Sequence, residues 1–151
     1  MDDVLIHTSA TLGRGITFLG PVKADIFIRT DVKDTDMIAV LLDVRLNGYS
    51  QRLCEGIARG RYRNGMDAVL LLDNGKVNNF KVGMWNTWHR FLQGHGIRVD
   101  ISSFAFPKYS RNLNTRMDLA SGSTIIVANT EVLHTKDYPS SISFRIYDRR
   151  T

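Results

Sequence analysis

Acyl transfer by a serine requires a neighbouring histidine that takes the hydroxyl proton, and many hydrolases present the serine in a Gly-x-Ser-x-Gly turn between strand and helix. No serine of this chain lies in that pattern. Ser121 precedes Gly122, but Leu119 stands where the first glycine of the turn would be. A serine without a positioned base is a weak nucleophile. The sequence therefore predicts that this chain has no catalytic residue of its own.

Four histidines are the next candidates for chemistry. Their spacings match no zinc-ligand signature, and the single cysteine cannot supply a thiolate pair. His95 stands between two glycines, so its ring is predicted to make a structural hydrogen bond to the backbone of a neighbouring loop. The sequence predicts no metal site and no cofactor. The four histidines are His7, His89, His95 and His134.

A polar turn at residues 31–36 holds the remaining candidates for a cation site, Asp34 and Asp36. Calcium prefers carboxylate oxygens, and loops of β-sandwiches can supply them. Aspartates in turns more often accept hydrogen bonds from nearby backbone amides. We expect the second role here.

Composition narrows the class of protein. A chain of 151 residues fits one domain with a substantial core. The net charge of +5 comes from scattered basic residues without a nucleic-acid-binding motif, so we expect no nucleic-acid partner. No apolar run reaches the length of a membrane span, and residues 1–7 lack the features of a signal peptide. The lone Cys54 excludes an internal disulfide and favours a cytoplasmic location.

Strands must position these groups, because apolar and polar residues alternate with the period of a strand at 22–29 and 97–101. Residues 38–46 are apolar on both faces for most of their length, which predicts a central strand. Asn47-Gly48 predicts a hairpin turn after it. With eight or nine short strands and no helical pattern, we expect an all-β antiparallel sandwich of jelly-roll type, similar to galactose-binding domains. The shorter predicted strands are 4–8, 77–84, 124–128, 132–135 and 142–147.

The stretch from residue 85 to residue 115 is the most distinctive part of the chain. A proline-bearing segment follows the strand at 97–101, and because proline removes a ladder donor, this segment should leave the sheet and cover it with aromatic rings. We expect the aromatic residues here to fill the core and a domain interface; a sugar-stacking platform is the alternative. They are Trp85, Trp88, Phe91, Phe104, Phe106 and Tyr109.

The same stretch resembles the C-terminal domain of the hydrolase family that includes X-Pro dipeptidyl-peptidases, cocaine esterases and α-amino-acid ester hydrolases. The Arg-x-Arg-Tyr-Arg run at 59–63 also resembles this family. Gly96 stands where arginine is usual, so an ion pair made by that arginine should be missing. The matching positions are Trp85, Thr87, Phe91, Gly94, His95, Ser102, Ser103, Phe106, Pro107, Arg111, Asn112, Asn114 and Thr115.

The resemblance implies that residues 1–151 form a single non-catalytic C-terminal domain, with residues 1–12 as a boundary segment. Such a domain would pack on an α/β-hydrolase catalytic domain, stabilise it and border its active site. An apolar face left exposed would also favour self-association of the isolated chain. Arg59, Arg61 and Arg63, predicted on one strand face, could pair with acidic residues of the partner. The structural and interface candidates are Arg61, Arg63, Trp85, Phe91, His95, Phe106, Pro107, Arg111 and Asn112.

Two other function classes stay open at this point. One is an independent carbohydrate-binding module, in which exposed tryptophan rings stack on sugars. The other is an enzyme with a nucleophile that matches no known motif. Whether a parent enzyme acts on peptide, ester or amide bonds does not follow from these residues.

Overall fold

A computed structural model describes residues 3–118 and 120–147, which build two antiparallel sheets and a single turn of 3-10 helix at Gly60–Tyr62. This confirms the predicted all-β antiparallel sandwich. The eight strands among the described residues are β1 (Val4–Thr8), β2 (Ile16–Thr30), β3 (Asp36–Val44), β4 (Ser50–Arg59), β5 (Val77–Phe91), β6 (Gly96–Ser102), β7 (Thr130–Val132) and β8 (Ser141–Ser143).

The first sheet has the order β1-β6-β3-β4, and the second has the order β5-β2-β7, with β8 also paired to β2. β3 is therefore a central strand, as its two apolar faces predicted. The predicted hairpin joins β3 to β4: Gly48 adopts a φ of +84°, and the Arg45 amide donates to the Tyr49 carbonyl at 2.8 Å. Glycine takes this left-handed conformation without steric cost.

The core lies between the sheets and is filled by alternate residues of the long strands. β3 directs Met37, Ala39 and Leu41 into this core, while Ile38, on the opposite face, is buried as well. On the second sheet the buried row comes from β2 and β5. Its members are Val22, Ala24, Ile26, Ile28, Phe80, Val82, Met84 and Phe91.

The sandwich is closed along one side and open along the other. Where β4 crosses β5, a Cβ atom added to Gly56 would lie 2.0 Å from the carbonyl oxygen of Gly83, so the two backbones are almost in contact. Along the opposite side, a groove separates part of β1 from β7, and the His7 ring of β1 packs against His134, just after β7, at 4.6 Å between ring centroids.

Three predicted strands differ in the structure. Residues 124–128 form no strand, and the strand predicted at 132–135 lies at Thr130–Val132. The last predicted strand is reduced to Ser141–Ser143, with an isolated bridge between Ile146 and Phe18. The predicted boundary segment 1–12 includes β1, which pairs with β6, while residues 1–2 lie outside the described residues; that this segment marks a domain boundary stays a prediction. The described residues contain no helix long and apolar enough to cross a membrane.

Candidate functional site

The proline-bearing segment, residues 103–115, is called the arm here. It leaves the sheet after β6 and crosses the outer face of β4, as predicted from Pro107. The Tyr109 hydroxyl donates to Glu55 at 3.3 Å, and the Lys108 ammonium pairs with the same buried carboxylate. Arg59 donates to the Ser110 carbonyl at 3.0 Å. These contacts fix the course of the arm over the sheet.

A buried polar network anchors the far end of the arm. We name it the aspartate cluster, and it consists of Asp34, Asp36, Arg59, Arg61 and Asn112. The Asn112 amide donates to Asp34 at 3.0 Å and to Asp36 at 2.7 Å, so one side chain of the arm joins both carboxylates. Arg61 donates to Asp34 through Nε at 2.7 Å and through its backbone amide at 2.8 Å.

The arginines complete the cluster. Arg59 donates to both oxygens of Asp36, through Nε at 3.0 Å and Nη2 at 2.9 Å, and this hydrogen bonding raises the pKa of Arg59. Arg61 Nη2 donates to the carbonyls of Thr115 and Met117, both at 2.9 Å. A buried charge needs a partner of opposite charge. The cluster therefore holds the arm against the start of β3, because few other positions of the arm would keep these charges paired.

Two expectations about these charges are therefore corrected. Asp34 and Asp36 were expected to accept hydrogen bonds from backbone amides nearby in the turn. They accept them instead from the guanidinium groups of Arg59 and Arg61 and from the Asn112 amide, with the Arg61 backbone amide as a further donor to Asp34. Arg59 and Arg61 pair with this chain's own aspartates. Arg63 donates to the Gly60 carbonyl at 2.9 Å and to the Leu70 carbonyl at 2.5 Å, and it closes the loop that precedes β5. The predicted strand face of three arginines is broken by the 3-10 turn.

The histidines at the end of β5 bind a buried aspartate. Asp43 lies 2.8 Å from His89 Nε2 through one oxygen and 2.7 Å from His95 Nδ1 through the other. The structural role predicted for His95 is thus fulfilled by a carboxylate and not by a loop backbone. Within the described residues no serine or cysteine side chain hydrogen-bonds to either ring. The described residues also contain no group of three potential ligands arranged for a metal ion.

The aromatic residues are distributed differently from the prediction. Phe91 is fully buried in the core, but Trp85 and Trp88 are 80% and 68% exposed. Phe104 and Phe106, at the start of the arm, stack on each other at 6.4 Å and are also exposed. Core filling is therefore wrong for these four residues, and they lie on two separate surfaces.

The first surface is the groove between β1 and β7, with the arm at its rim. It has a volume of about 930 Å³ and reaches down to Met37 and Ile101 of the first sheet. Its wall includes the exposed apolar residues Leu5 of β1 and 125–127 of the loop before β7. At the rim, the Arg111 guanidinium lies 5.5 Å from the Phe104 ring centroid. The aspartate cluster holds this rim in place, because Asn112 follows Arg111 directly.

The second surface lies on the outer face of the second sheet. Leu19 of β2 pairs in register with Trp88 of β5. Trp85 lies within a bulge of β5, between Gly83 and Asn86, which pair with Lys23 and Pro21 of β2. Trp85 has a φ of +68°, a left-handed conformation that strains a large side chain and turns it outward at this bulge. Leu19 is eleven residues from the groove residue Thr30 along β2, a distance of roughly 35 Å in an extended strand. One small ligand cannot span both surfaces.

Sequence reasoning missed several residues of the groove and its support. The run at 125–127 was predicted as a strand because it is apolar, although an apolar segment on the surface gives the same signal. Glu55 was not singled out and Asp43 was assigned to the polar face of its strand, since an acidic residue within a strand pattern normally faces solvent. Their burial depends on partners 46–54 residues away in sequence.

Comparison with known proteins gives one consistent result. Residues 1–143 match the family described as X-Pro dipeptidyl-peptidase C-terminal non-catalytic domain. The chain is 40% identical over 114 residues to the cocaine esterase of Rhodococcus sp. (strain MB1 Bresler), covering 76% of this chain and 20% of the esterase.

Two solved structures cover almost the whole chain. An aminopeptidase from a marine sediment archaeon, Thaumarchaeota archaeon, superposes with a TM-score of 0.93 at 29% identity, over 98% of this chain and 26% of the aminopeptidase. An α-amino acid ester hydrolase superposes with a TM-score of 0.92 at 25% identity, over 96% of this chain and 26% of the hydrolase. The chain thus spans about a fifth to a quarter of the length of these relatives.

Proposed function

Because this chain belongs to the family of X-Pro dipeptidyl-peptidase C-terminal non-catalytic domains, we propose that it is the accessory domain of a serine hydrolase. It docks on the catalytic part through the groove and the rim of the arm, stabilises that part and borders its active site. The observation that carries this proposal is the groove itself, an opening of about 930 Å³ with partly apolar walls on a domain that its relatives carry within a chain about four times longer.

The groove combines exposed apolar side chains in its wall with an ordered rim. Val127 is 83% exposed, and the groove wall also includes two further exposed isoleucines and the exposed Phe104, which stacks on Phe106. Burying apolar surface contributes roughly 25 cal/mol per Å², so covering this region favours association. The aspartate cluster keeps the rim ordered, and a preorganised surface loses less conformational entropy when it binds.

Polar and charged groups at the rim of the groove orient the catalytic part when it docks. Asp31 hydrogen-bonds to Asn129 through the backbone amide at 2.9 Å and the side-chain amide at 2.7 Å, and these bonds lower the pKa of Asp31. Arg29 pairs with Glu131 at 3.1 Å beside the same opening. An apolar centre with a polar, charged rim is the usual anatomy of a specific protein interface.

A chimeric hydrolase tests this function. The segment of Rhodococcus cocaine esterase that this chain matches would be replaced by the corresponding residues of this chain, and esterase activity and thermal unfolding would be measured. We expect an active chimera that unfolds in one transition, because the domain and the catalytic part stabilise each other. A chimera as inactive and unstable as the esterase lacking that segment would contradict the proposal.

Paired variants locate the docking surface. Val127→Asp places a charge in the groove wall and should lower the melting temperature of the chimera, while Val69→Asp, at an exposed valine outside the groove, should not. Both valines are exposed, so neither change should alter the stability of the isolated chain by more than about 0.5 kcal/mol. Light scattering of the isolated chain checks the predicted self-association, which Val127→Asp should reduce.

A second candidate function, carbohydrate binding, is favoured by the exposure of Trp85 and Trp88 on the second surface. Asn86 and Arg90 lie on the same outer face as Trp88, because they are two residues before and two residues after it in the strand. Aromatic rings next to hydrogen-bonding groups suit the apolar face and hydroxyl rim of a sugar. Titration with oligosaccharides, with Trp88→Ala as the matched variant, tests this function; flat titrations of the unsubstituted chain would eliminate it.

A further inference from the structure

We propose that the free edge of β1 accepts an extended strand from the catalytic part of the hydrolase, which continues the first sheet and places its side chains in the groove. This inference rests on the proposed function and specifies how docking occurs. The partner is a segment of about five residues in which every second side chain is apolar.

β1 differs from the other strands at the edges of the two sheets. β4 and β5 close on each other at Gly56 and Gly83, so neither offers a free edge at that crossing. β7 and β8 are only three residues long. β1 has five residues, and within the described part of the chain no strand pairs with its second edge.

The sequence of β1 gives this edge no protection. Natural edge strands avoid pairing with other chains through lysine, proline, bulges or very short length. β1 reads Val-Leu-Ile-His-Thr, and it pairs with β6 in unbroken register. Leu5 and Ile6 are 44% and 54% exposed. An apolar, regular and unguarded edge is the kind of surface to which a further strand adds.

The alternation of hydrogen-bonded pairs along β1 and β6 shows which backbone groups of β1 are free to pair with a further strand. The Ser9 amide donates to the Ile97 carbonyl at 2.8 Å, and these two residues continue the β1–β6 register. Hydrogen-bonded pairs alternate along an antiparallel ladder. His7 and Leu5 therefore bond to β6, while Ile6 and Thr8 direct their N–H and C=O groups away from it. Among the described residues, no backbone hydrogen bond outside the ladder reaches Ile6 or Thr8.

The groove is continuous with this edge. Leu5 faces Ile101 in register and lines the groove beside it, so an added strand would place its inward side chains next to Leu5. Residues 125–127 line the same groove as Leu5, and their apolar side chains are exposed. The occupant is available in the relatives, because the domain accounts for only 20% of the esterase and 26% of the two solved hydrolases.

The test compares Ile6→Pro with Ile6→Ala in the chimeric hydrolase. Proline removes an N–H that points away from β6, so the β1–β6 ladder keeps its donors, and alanine removes the side chain but keeps the N–H. We expect Ile6→Pro to lower the melting temperature of the chimera clearly more than Ile6→Ala. In the isolated chain, the two variants should unfold within a few degrees of each other.

Amide hydrogen exchange gives a direct readout. The Ile6 and Thr8 amides should exchange rapidly in the isolated chain and about 100-fold more slowly in the chimera, because pairing protects them. Equal exchange in both, together with equal effects of the proline and alanine variants, would overturn the added strand. Val127→Asp would then still weaken docking if the proposed function is correct, which separates the two conclusions. Protection that grows with the concentration of the isolated chain would identify a second copy at this edge and would also overturn the inference.

Discussion

Replacing Arg61 with methionine tests whether the aspartate cluster holds the arm. Arg61 is buried and makes three side-chain hydrogen bonds, to Asp34 at 2.7 Å and to the Thr115 and Met117 carbonyls at 2.9 Å each. Methionine has a similar length but no donor. It leaves the fully buried Asp34 carboxylate without its counter-charge, and such a loss typically costs about 3–5 kcal/mol. Since a domain of this size has a free energy of unfolding of about 5–15 kcal/mol, the effect should be large.

The assay is urea unfolding of the isolated chain, followed by tryptophan fluorescence and circular dichroism. Arg29→Met is the matched control, because Arg29 pairs with Glu131 at 3.1 Å with both side chains exposed, and exposed pairs contribute about 0–1 kcal/mol. If Arg61→Met unfolds the chain completely, the double variant Asp34→Asn and Arg61→Met should recover part of the stability, since it removes the uncompensated charge. A loss no greater than that of Arg29→Met would refute the role given to the cluster.

Two further predictions concern the crossing of β4 and β5. Gly56→Ala should destabilise the chain by at least about 1–3 kcal/mol, because the added Cβ would meet the Gly83 carbonyl. Gly83→Ala is the control: its Cβ meets nothing within 4 Å, so it should change the free energy of unfolding little. Equal effects of the two variants in thermal unfolding would contradict the close approach of the backbones. Burial raises the pKa of Cys54, so its reaction with a thiol reagent at pH 8 should be slower in the folded chain than in urea, and equal rates would show that the thiolate is freely available.

The sequence alone determined the longer strands and the hairpin turn after β3. Alternation depends only on neighbouring residues, so β2, β3 and β6 were predictable, and Asn47-Gly48 specified the hairpin through its own conformational preference. Pro107 likewise predicted that the arm would leave the sheet. The motifs around Arg111 and Asn112 also predicted the family, which the match over residues 1–143 confirms. The cytoplasmic location and the absence of nucleic-acid binding stay predictions.

Only the tertiary structure decided which faces meet and which charges pair. Alternation shows which residues share a face but not whether another layer covers it. The sequence therefore could not show that Trp85 and Trp88 lie outside the core of this domain, and a place for them at a domain interface stays a prediction. The bulge at Trp85 depends on the pairing of two strands and leaves no mark in either strand alone. Asp34 pairs with Arg61, which is 27 residues away in sequence, and accepts a hydrogen bond from Asn112, which is 78 residues away. The packing of the two sheets determines these partners, because a buried charge can pair only with an opposite charge that the fold places next to it.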